Sequence, residues 1–245
     1  MMDSLGQGYR AVVIGASGGI GAALAARLGE DPACAAVHAL SRSGRAPEGA
    51  RLRPGRIDLE DEASVAAAAE TVGADGPPAL VIVAAGYLHG PAGGPEKSWR
   101  QIEPGAMAKA FAVNATGPAL VAKHFMDLLP RRERAILAAL SARVGSIGDN
   151  RAGGWYGYRA SKAALNQILR CLAIEGARKR PELVVAGLQP GTVRTELSAP
   201  FRSHVAEEEL FEPAEAAANL LSVLDRLPPE RSGGVFDWQG EAVPP

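Results

Sequence analysis

The chain has 245 residues, two cysteines and a net charge of −1, with 26 basic side chains against 27 acidic ones. That length suits a single α/β domain over 1–245, and the charge balance gives no electrostatic case for nucleic acid or an anionic membrane as partner. Cys34 and Cys171 are too few for a disulfide framework or a metal site, no stretch approaches the roughly 20 apolar residues that span a bilayer, and residues 1–10 lack a signal-peptide core, so a cytoplasmic protein is expected.

Tyr9–Ile14 is a short apolar run that reads as a buried strand. Gly15-Ala16-Ser17-Gly18-Gly19-Ile20-Gly21 follows, and then an Ala/Leu-rich helix to about residue 28. Strand, glycine-rich turn and helix are the context of a dinucleotide phosphate site: glycines let the backbone approach the pyrophosphate, whose charge faces the helix N-terminus. Gly15, Ser17, Gly19 and Ile20 are its candidate contacts. A second strand, 37–40, ends in Ser41-Arg42-Ser43. An acidic residue at this tip would accept from the adenosine ribose of NAD; Arg42 stands there instead and suits a 2′-phosphate, with Arg45 a second candidate, so NADP(H) is preferred over NAD(H).

Residues 51–57 read as the third strand, with Asp58-Leu59 at its tip. Asp58 either accepts from the adenine amino group or caps the helix expected over 60–72. Residues 79–85 form a continuous apolar run, read as a central parallel strand, and Ala85-Gly86 at its tip would let the backbone pass close to a cofactor. The stretch 87–104 is rich in Gly and Pro and reads as a loop beside the site, with His89 exposed rather than catalytic. A long helix over 106–129 follows, with Asn114 in its middle; asparagine is an indifferent helix former, so its amide is expected to have a particular partner.

Ala135–Leu140 reads as the fifth strand, and a glycine-rich loop to Gly154 leads into a helix to about residue 179. This helix carries Tyr158 and Lys162, one turn apart on one face. A phenol has a pKa near ~10, and a neighbouring ammonium is expected to lower it toward the working range of an acid or base. Residues 184–188 are the sixth strand, with Pro190 and Thr192 beyond its tip; 201–211 is a candidate substrate lid; 213–227 is the last helix, and 235–238 closes the sheet. Alternating strands and helices without hairpin signals argue a mainly parallel sheet of about seven strands with helices on both faces. Gly15, Arg42, Asp58, Gly86, Ser141 and Pro190 all fall at strand C-terminal ends, where such sheets hold ligands.

Taken together, these residues resemble the short-chain dehydrogenase/reductases over essentially the full chain. The resemblance is carried by the glycine turn, Ala84-Ala85-Gly86, Asn114, Tyr158-x-x-x-Lys162 and Pro190-Gly191-x-Val193-x-Thr195, in family order. Ser161-Lys162-Ala163-Ala164-Leu165-Asn166 and Trp238-Gln239-Gly240 look like the C-factor and carbonyl-reductase-like branch. The resemblance implies a three-layer Rossmann fold and NADP(H)-dependent reduction of a carbonyl, or oxidation of the alcohol. It implies Tyr158 as general acid/base, Lys162 on the nicotinamide ribose, a serine on the substrate oxygen, Asn114 holding a water beside Lys162, and Pro190 and Thr192 at the carboxamide.

The chain departs from the family pattern at three places. Ile14 stands for a usual threonine and Ala84 for a usual asparagine, and Ala142 falls where the catalytic serine is usual. Ser141 is the first candidate for that serine and Ser146 the second. Tyr87, Leu88, Trp155, Phe201 and Phe211 are the candidate substrate lining, which favours an apolar or aromatic carbonyl compound. Relatives pair through the helices bearing Asn114 and Tyr158, so a homodimer or homotetramer is expected. A rival reading is an NADP-binding regulatory protein with little turnover. A sugar-nucleotide epimerase is disfavoured, because little chain follows Thr195.

Overall fold

The computed structural model describes residues 2–90, 93–204 and 206–245. In chain order the elements are β1 (Tyr9–Ile14), α1 (Gly19–Glu30), β2 (Cys34–Ser41), β3 (Leu52–Arg56), α2 (Glu62–Asp75) and β4 (Leu80–Val83). Then come α3 (Pro104–Phe111), α4 (Gly117–Phe125), β5 (Ala135–Leu140), α5 (Tyr156–Ala177) and β6 (Leu183–Gln189). The short β7 (Thr192–Val193) and β8 (Leu210–Phe211) precede α6 (Pro213–Arg226) and β9 (Val235–Asp237).

Seven strands form one parallel sheet in the order β3-β2-β1-β4-β5-β6-β9. Side chains alternate across a strand, and the apolar runs fill both faces. Val13 and Ile82 pack with Leu24 of α1 and Leu220 and Leu224 of α6. Their neighbours Val12 and Val81 pack on the other face with Val65 of α2, Phe125 of α4 and Leu165 of α5. The result is the three-layer Rossmann architecture. The chain winds outward from β1 to β3 and crosses back to β4, so the order reverses between β1 and β4, where open sheets of this kind leave a crevice.

Several boundaries differ from the sequence expectation. The helix expected over 106–129 is broken into α3, a π-turn at Ala112–Thr116, α4 and a final 3₁₀ turn. Pro118 supplies the reason: it brings no N–H to the ladder and crowds the carbonyl of Asn114, which widens the turn around that residue. The helix after β3 starts at Glu62 because Asp61, not Asp58, caps it by accepting from the Ala63 N–H at 3.0 Å. The far end of the candidate lid is a strand: β8 pairs in parallel with β7. Among the described residues no helix is long and apolar enough to cross a membrane, and no cluster of His, Cys, Asp or Glu could hold a metal ion.

Candidate active site

The first functional feature is the turn between β1 and α1. Gly15 has φ +96°, and a Cβ there would lie 2.7 Å from the Ala85 backbone nitrogen. A Cβ on Gly21 would lie 2.2 Å from the Gly15 carbonyl oxygen. Side chains at these positions would push the turn off both β4 and its own helix. The N-cap of α1 is Gly18, with no side-chain cap and no acidic residue in the first turn. The positive end of the helix is therefore left without a cap of its own, and it opens on a cleft of 810 Å³.

That cleft collects most of the residues picked from the sequence. Gly15, Ser17, Gly19 and Ile20 line it at the turn, Arg42, Asp58 and Leu59 at the tips of β2 and β3, and Ala85 and Gly86 after β4. Ser141, Tyr158, Lys162 and Pro190 line it as well. Thr192 does not: it is paired to Leu210 in the β7–β8 ribbon. Thr195 lines the cleft in its place, with a methyl 2.6 Å from where a Gly19 Cβ would stand. Asp58 accepts from the Glu60 N–H at 3.1 Å. Arg42 is exposed, and Arg45 lies off the cleft, its carbonyl accepting from Ser41 Oγ at 2.6 Å.

Tyr158 and Lys162 share the face of α5 that closes the inner end. Lys162 is 3% exposed; its Nζ donates to the Leu140 carbonyl at 2.7 Å and lies 5.7 Å from the Tyr158 ring centroid. Burial lowers Lys162 to about 8 and pushes Tyr158 up to about 12. The phenol is thus not depressed as the sequence suggested: loss of solvation raises it, and the ammonium is engaged with the Leu140 carbonyl. Asn114 is fully buried and has the particular partner its position implied. It accepts from the Tyr87 N–H and donates to the Tyr87 carbonyl, both at 2.8 Å, and donates to Ser161 Oγ at 3.0 Å. Ser161 Oγ in turn donates to the Tyr158 carbonyl at 2.9 Å. The asparagine side chain therefore ties the loop after β4 to the first turns of α5.

The two serine candidates differ. Ser141 lines the cleft, but its hydroxyl donates to Asn166 Oδ1 at 2.6 Å. Ser146 is 1% exposed and lines neither this cleft nor the next. Its hydroxyl donates to the Pro245 carbonyl at 3.3 Å and accepts from the Asp149 N–H at 3.1 Å.

A second cleft, of 850 Å³, meets the first at Tyr158. Tyr87, Leu88, Trp155 and Phe201 line it, with the Trp155 and Phe201 rings edge-on at 5.0 Å. Phe211 is not part of it; its ring packs at 4.7 Å on Trp238 instead. Two residues here escaped the sequence reading. His89, expected to be exposed, is half-buried and lines both clefts, with its Nε2 sealed and without a hydrogen-bond partner. Glu96 is 8% exposed, and both of its carboxylate oxygens approach the Gly157 N–H, at 3.2 and 3.3 Å, at the start of α5. No local pattern distinguishes either from any other polar residue of a Gly/Pro-rich loop.

Comparison with known proteins gives this geometry a context. The sequence model of a family described as short chain dehydrogenase matches residues 9–206. The chain is 37% identical over 139 residues to C-signal of Myxococcus xanthus, covering 56% of this chain and 78% of that protein. Two further curated relatives are matched over little more than half of their own length, 56% and 52%. The NADPH-bound carbonyl reductase from chicken fatty liver superposes with a TM-score of 0.82 at 24% identity, over 97% of this chain and 99% of that one, a likeness of fold. A carbonyl reductase from Pseudomonas aeruginosa PAO1 superposes with a TM-score of 0.77 at 25% identity, over 96% and 99% of the two chains.

Proposed function

The chain belongs to the short-chain dehydrogenase family and is an oxidoreductase of that type, and from that premise we propose that it reduces the carbonyl, or oxidises the alcohol, of a small organic substrate with NADP(H). The observation that carries this reading is one cleft running from an uncapped helix N-terminus and Arg42 to Tyr158 and Lys162. Residues 1–245 then act as one cofactor-binding unit whose later loops form the substrate side.

The donor set fits the cofactor. Backbone at Gly15, Ser17, Gly19 and Ile20 takes the pyrophosphate, and Arg42 takes the 2′-phosphate, with no carboxylate at the β2 tip to oppose it. Asp58 and Leu59 would meet the adenine, and Ala85, Gly86, Lys162, Pro190 and Thr195 the nicotinamide end. Bound there, the reduced cofactor supplies the hydride. Tyr158 supplies the proton: its phenol is protonated at neutral pH, and because burial raises its pKa to about 12, its strength as an acid depends on the charge of Lys162 beside it. As the carbonyl π pair moves onto oxygen, that oxygen takes the phenolic proton, and the Lys162 ammonium offsets the charge left on Tyr158. Asn114 and Ser161 hold the backbone on either side of the reacting residues. The aromatic walls at Trp155 and Phe201 favour an apolar or aromatic substrate. We propose pairing through α5 as a homodimer or homotetramer, which analytical ultracentrifugation reads directly.

The test is NADPH oxidation against a panel of aldehydes, ketones and quinones, with wild type beside Tyr158→Phe. The expected result is a fall in turnover of about 1000-fold with NADPH affinity retained, within the range for loss of a general acid. The rival reading, an NADP-binding regulatory protein, draws on one observation: the hydroxyls of Ser141 and Ser146 are both committed to protein partners. Tight NADPH binding with no turnover in either protein would favour it.

A further inference from the structure

Two parts of the chain lie off both clefts: Ser146, which is buried, and the segment 241–245 after β9. They meet. Beyond β9 the chain turns back along that strand: the Asp237 N–H donates to the Glu241 carbonyl and the Val243 N–H to the Val235 carbonyl, each at 2.9 Å. Pro244 and Pro245 follow, and neither brings an N–H to continue the pairing. The two rings fix their own φ, so the segment leaves the strand stiffly. It carries the Pro245 carbonyl to the loop between β5 and α5, where that oxygen accepts from the Gly148 N–H at 2.8 Å and from the Ser146 hydroxyl at 3.3 Å. A Cβ on Gly148 would lie 3.0 Å from the same oxygen, so a side chain there would crowd it.

That loop lies on Lys162. A Cβ on Gly145 would stand 2.8 Å from the Lys162 Cβ and 2.9 Å from its carbonyl carbon, so loop backbone rests on the helix with no side chain between. The Gly145 N–H donates to the Ala142 carbonyl at 2.9 Å and the Ser146 N–H to the Arg143 carbonyl at 3.0 Å, which makes 142–146 one tight turn. The sheet fixes the near end of the loop, through the Ser141 N–H and the Leu188 carbonyl at 2.8 Å. Within it, Arg159 donates to the Val144 carbonyl at 3.3 Å, and Arg143 pairs with Asp149 at the surface, where an ion pair holds little. The Pro245 carbonyl holds the far end. Neutral groups flank the ammonium: the Leu140 carbonyl at 2.7 Å, the Tyr158 ring at 5.7 Å, and Gly86, whose Cβ would lie 3.9 Å from Nζ and 3.7 Å from Asn114 Oδ1.

We propose that Pro245 is a positioning residue of this site: its carbonyl, shared by Gly148 and Ser146, holds the loop 141–149 down on Lys162 and keeps water from the ammonium. Its bearing on rate rests on the carbonyl-reductase reading above; its bearing on Lys162 rests on the loop contacts alone. Ser146 then serves the site without touching a ligand, by giving its proton to the strap.

Two variants reach the contact from its two sides. A chain ended after Val243 removes the Pro245 carbonyl and keeps the pairing with β9; Ser146→Ala removes one of its donors. The first readout is the titration of Lys162 in cofactor-free protein, followed by ¹³Cε-lysine NMR, with Lys162→Met identifying the resonance. Burial sets the wild-type value at about 8; the shortened chain is expected to titrate near ~9, toward the ordinary lysine range, as water reaches the ammonium. Ser146→Ala should show part of that rise, and should add nothing to the shortened chain, because the serine acts through the missing carbonyl. With NADPH and aromatic ketones, kcat of the shortened chain is expected to fall about tenfold with KM little changed. A titration that neither variant moves would overturn the role of Pro245, as would effects that add in full; Ser146→Ala decides alone if the shortened chain does not fold. The titration needs no turnover, so the two layers separate. A Lys162 value that rises in a protein reducing no carbonyl supports the strap and counts against the reductase reading. An active enzyme whose Lys162 titrates alike in all forms sinks only the strap.

Discussion

The two clefts that join at Tyr158 and His89 are close in size, 810 and 850 Å³, and opposite in construction. The first is made of strand tips and the backbone immediately after them, so each wall is a few consecutive residues whose place follows from the parallel sheet. The second is made mostly of loops: residues 87–90 and 93–103 and the segment around Phe201, with the start of α5 and Ala106 and Ala110 of α3. Those loops are held by contacts distant in sequence, Asn114 to Tyr87 and Ser161, and Glu96 to Gly157. The comparison teaches that cofactor-side geometry comes from topology and substrate-side geometry from a few buried polar ties. Three changes probe that division: two in the first cleft, one of them a helical turn from the shared Tyr158, and one in the second.

The largest effect is expected in the first cleft beside the shared wall, at Lys162, one helical turn from Tyr158. Lys162 falls from 10.5 to about 8 on burial, a penalty on the charged form of about 3 kcal/mol at neutral pH. Replacing it by methionine removes that penalty and also the hydrogen bond to Leu140, worth about 1 kcal/mol. The cofactor-free Lys162→Met protein should therefore be about 2 kcal/mol more stable than wild type at pH 7. The sign with pH is fixed. Between pH 8 and 10.5 the unfolded chain holds the lysine proton more than the fold does, so wild-type stability rises and the gap closes. Tyr158 does not interfere, because its raised pKa removes stability only between pH 10 and about 12. Urea unfolding of both proteins at pH 7 and 9.5 reads this. A gap that stays constant would mean that the ammonium is not penalised by burial. A gap that closes would mark Lys162 as a group held at the expense of the fold.

A smaller effect is expected at the outer end of the first cleft. Arg42→Ala should weaken NADPH about tenfold and NADH less than twofold, in keeping with about 1.5 kcal/mol for a charge-assisted hydrogen bond at an exposed site. Because Arg42 is exposed, the difference should shrink at high ionic strength. Fluorescence titration of both cofactors gives the answer, and equal losses would remove Arg42 from the 2′-phosphate.

Legibility from sequence follows the same division. β1 and β5 match the expectation to the residue, because a short, mostly apolar run ending at Gly or Ser has one reading in a parallel sheet. The thirteen expected residues that line the first cleft share a local signal: each lies at or just past a strand tip or on the first turns of α5. Thr192, expected near the cofactor, stands instead in the ribbon with β8, while Thr195 lines the first cleft. The break at Asn114 was half legible: its poor fit to a helix was visible, whereas the widening at Pro118 was read straight through. Phe211, Ser146, His89 and Glu96 were beyond reach, because their neighbours are Trp238, Pro245, Phe201 and Gly157, and nothing local names a partner that distant.

The smallest effect belongs to the second cleft and concerns Glu96. The N-cap of α5 is Trp155 in a left-handed conformation, φ +53°, with no side-chain cap of its own. A bulky residue there is strained, and it leaves the first helical N–H groups without a local acceptor. Glu96 meets both needs from across the cleft: its carbonyl accepts from the Trp155 N–H at 2.5 Å and its carboxylate from the Gly157 N–H. A buried carboxylate at a helix N-terminus is worth about 1 kcal/mol. Glu96→Gln keeps an oxygen for Gly157 and removes the charge, so it should loosen the first turn of α5, where Trp155 lines the second cleft. The expected outcome is a KM for the carbonyl substrate raised about fivefold, with kcat and NADPH affinity little changed. A rise in KM alone would keep the two clefts separable. An equal loss of NADPH affinity would mean that α5 carries the disturbance from Gly157 through Tyr158 to Lys162, and that the helix is a single rigid body facing both ligands.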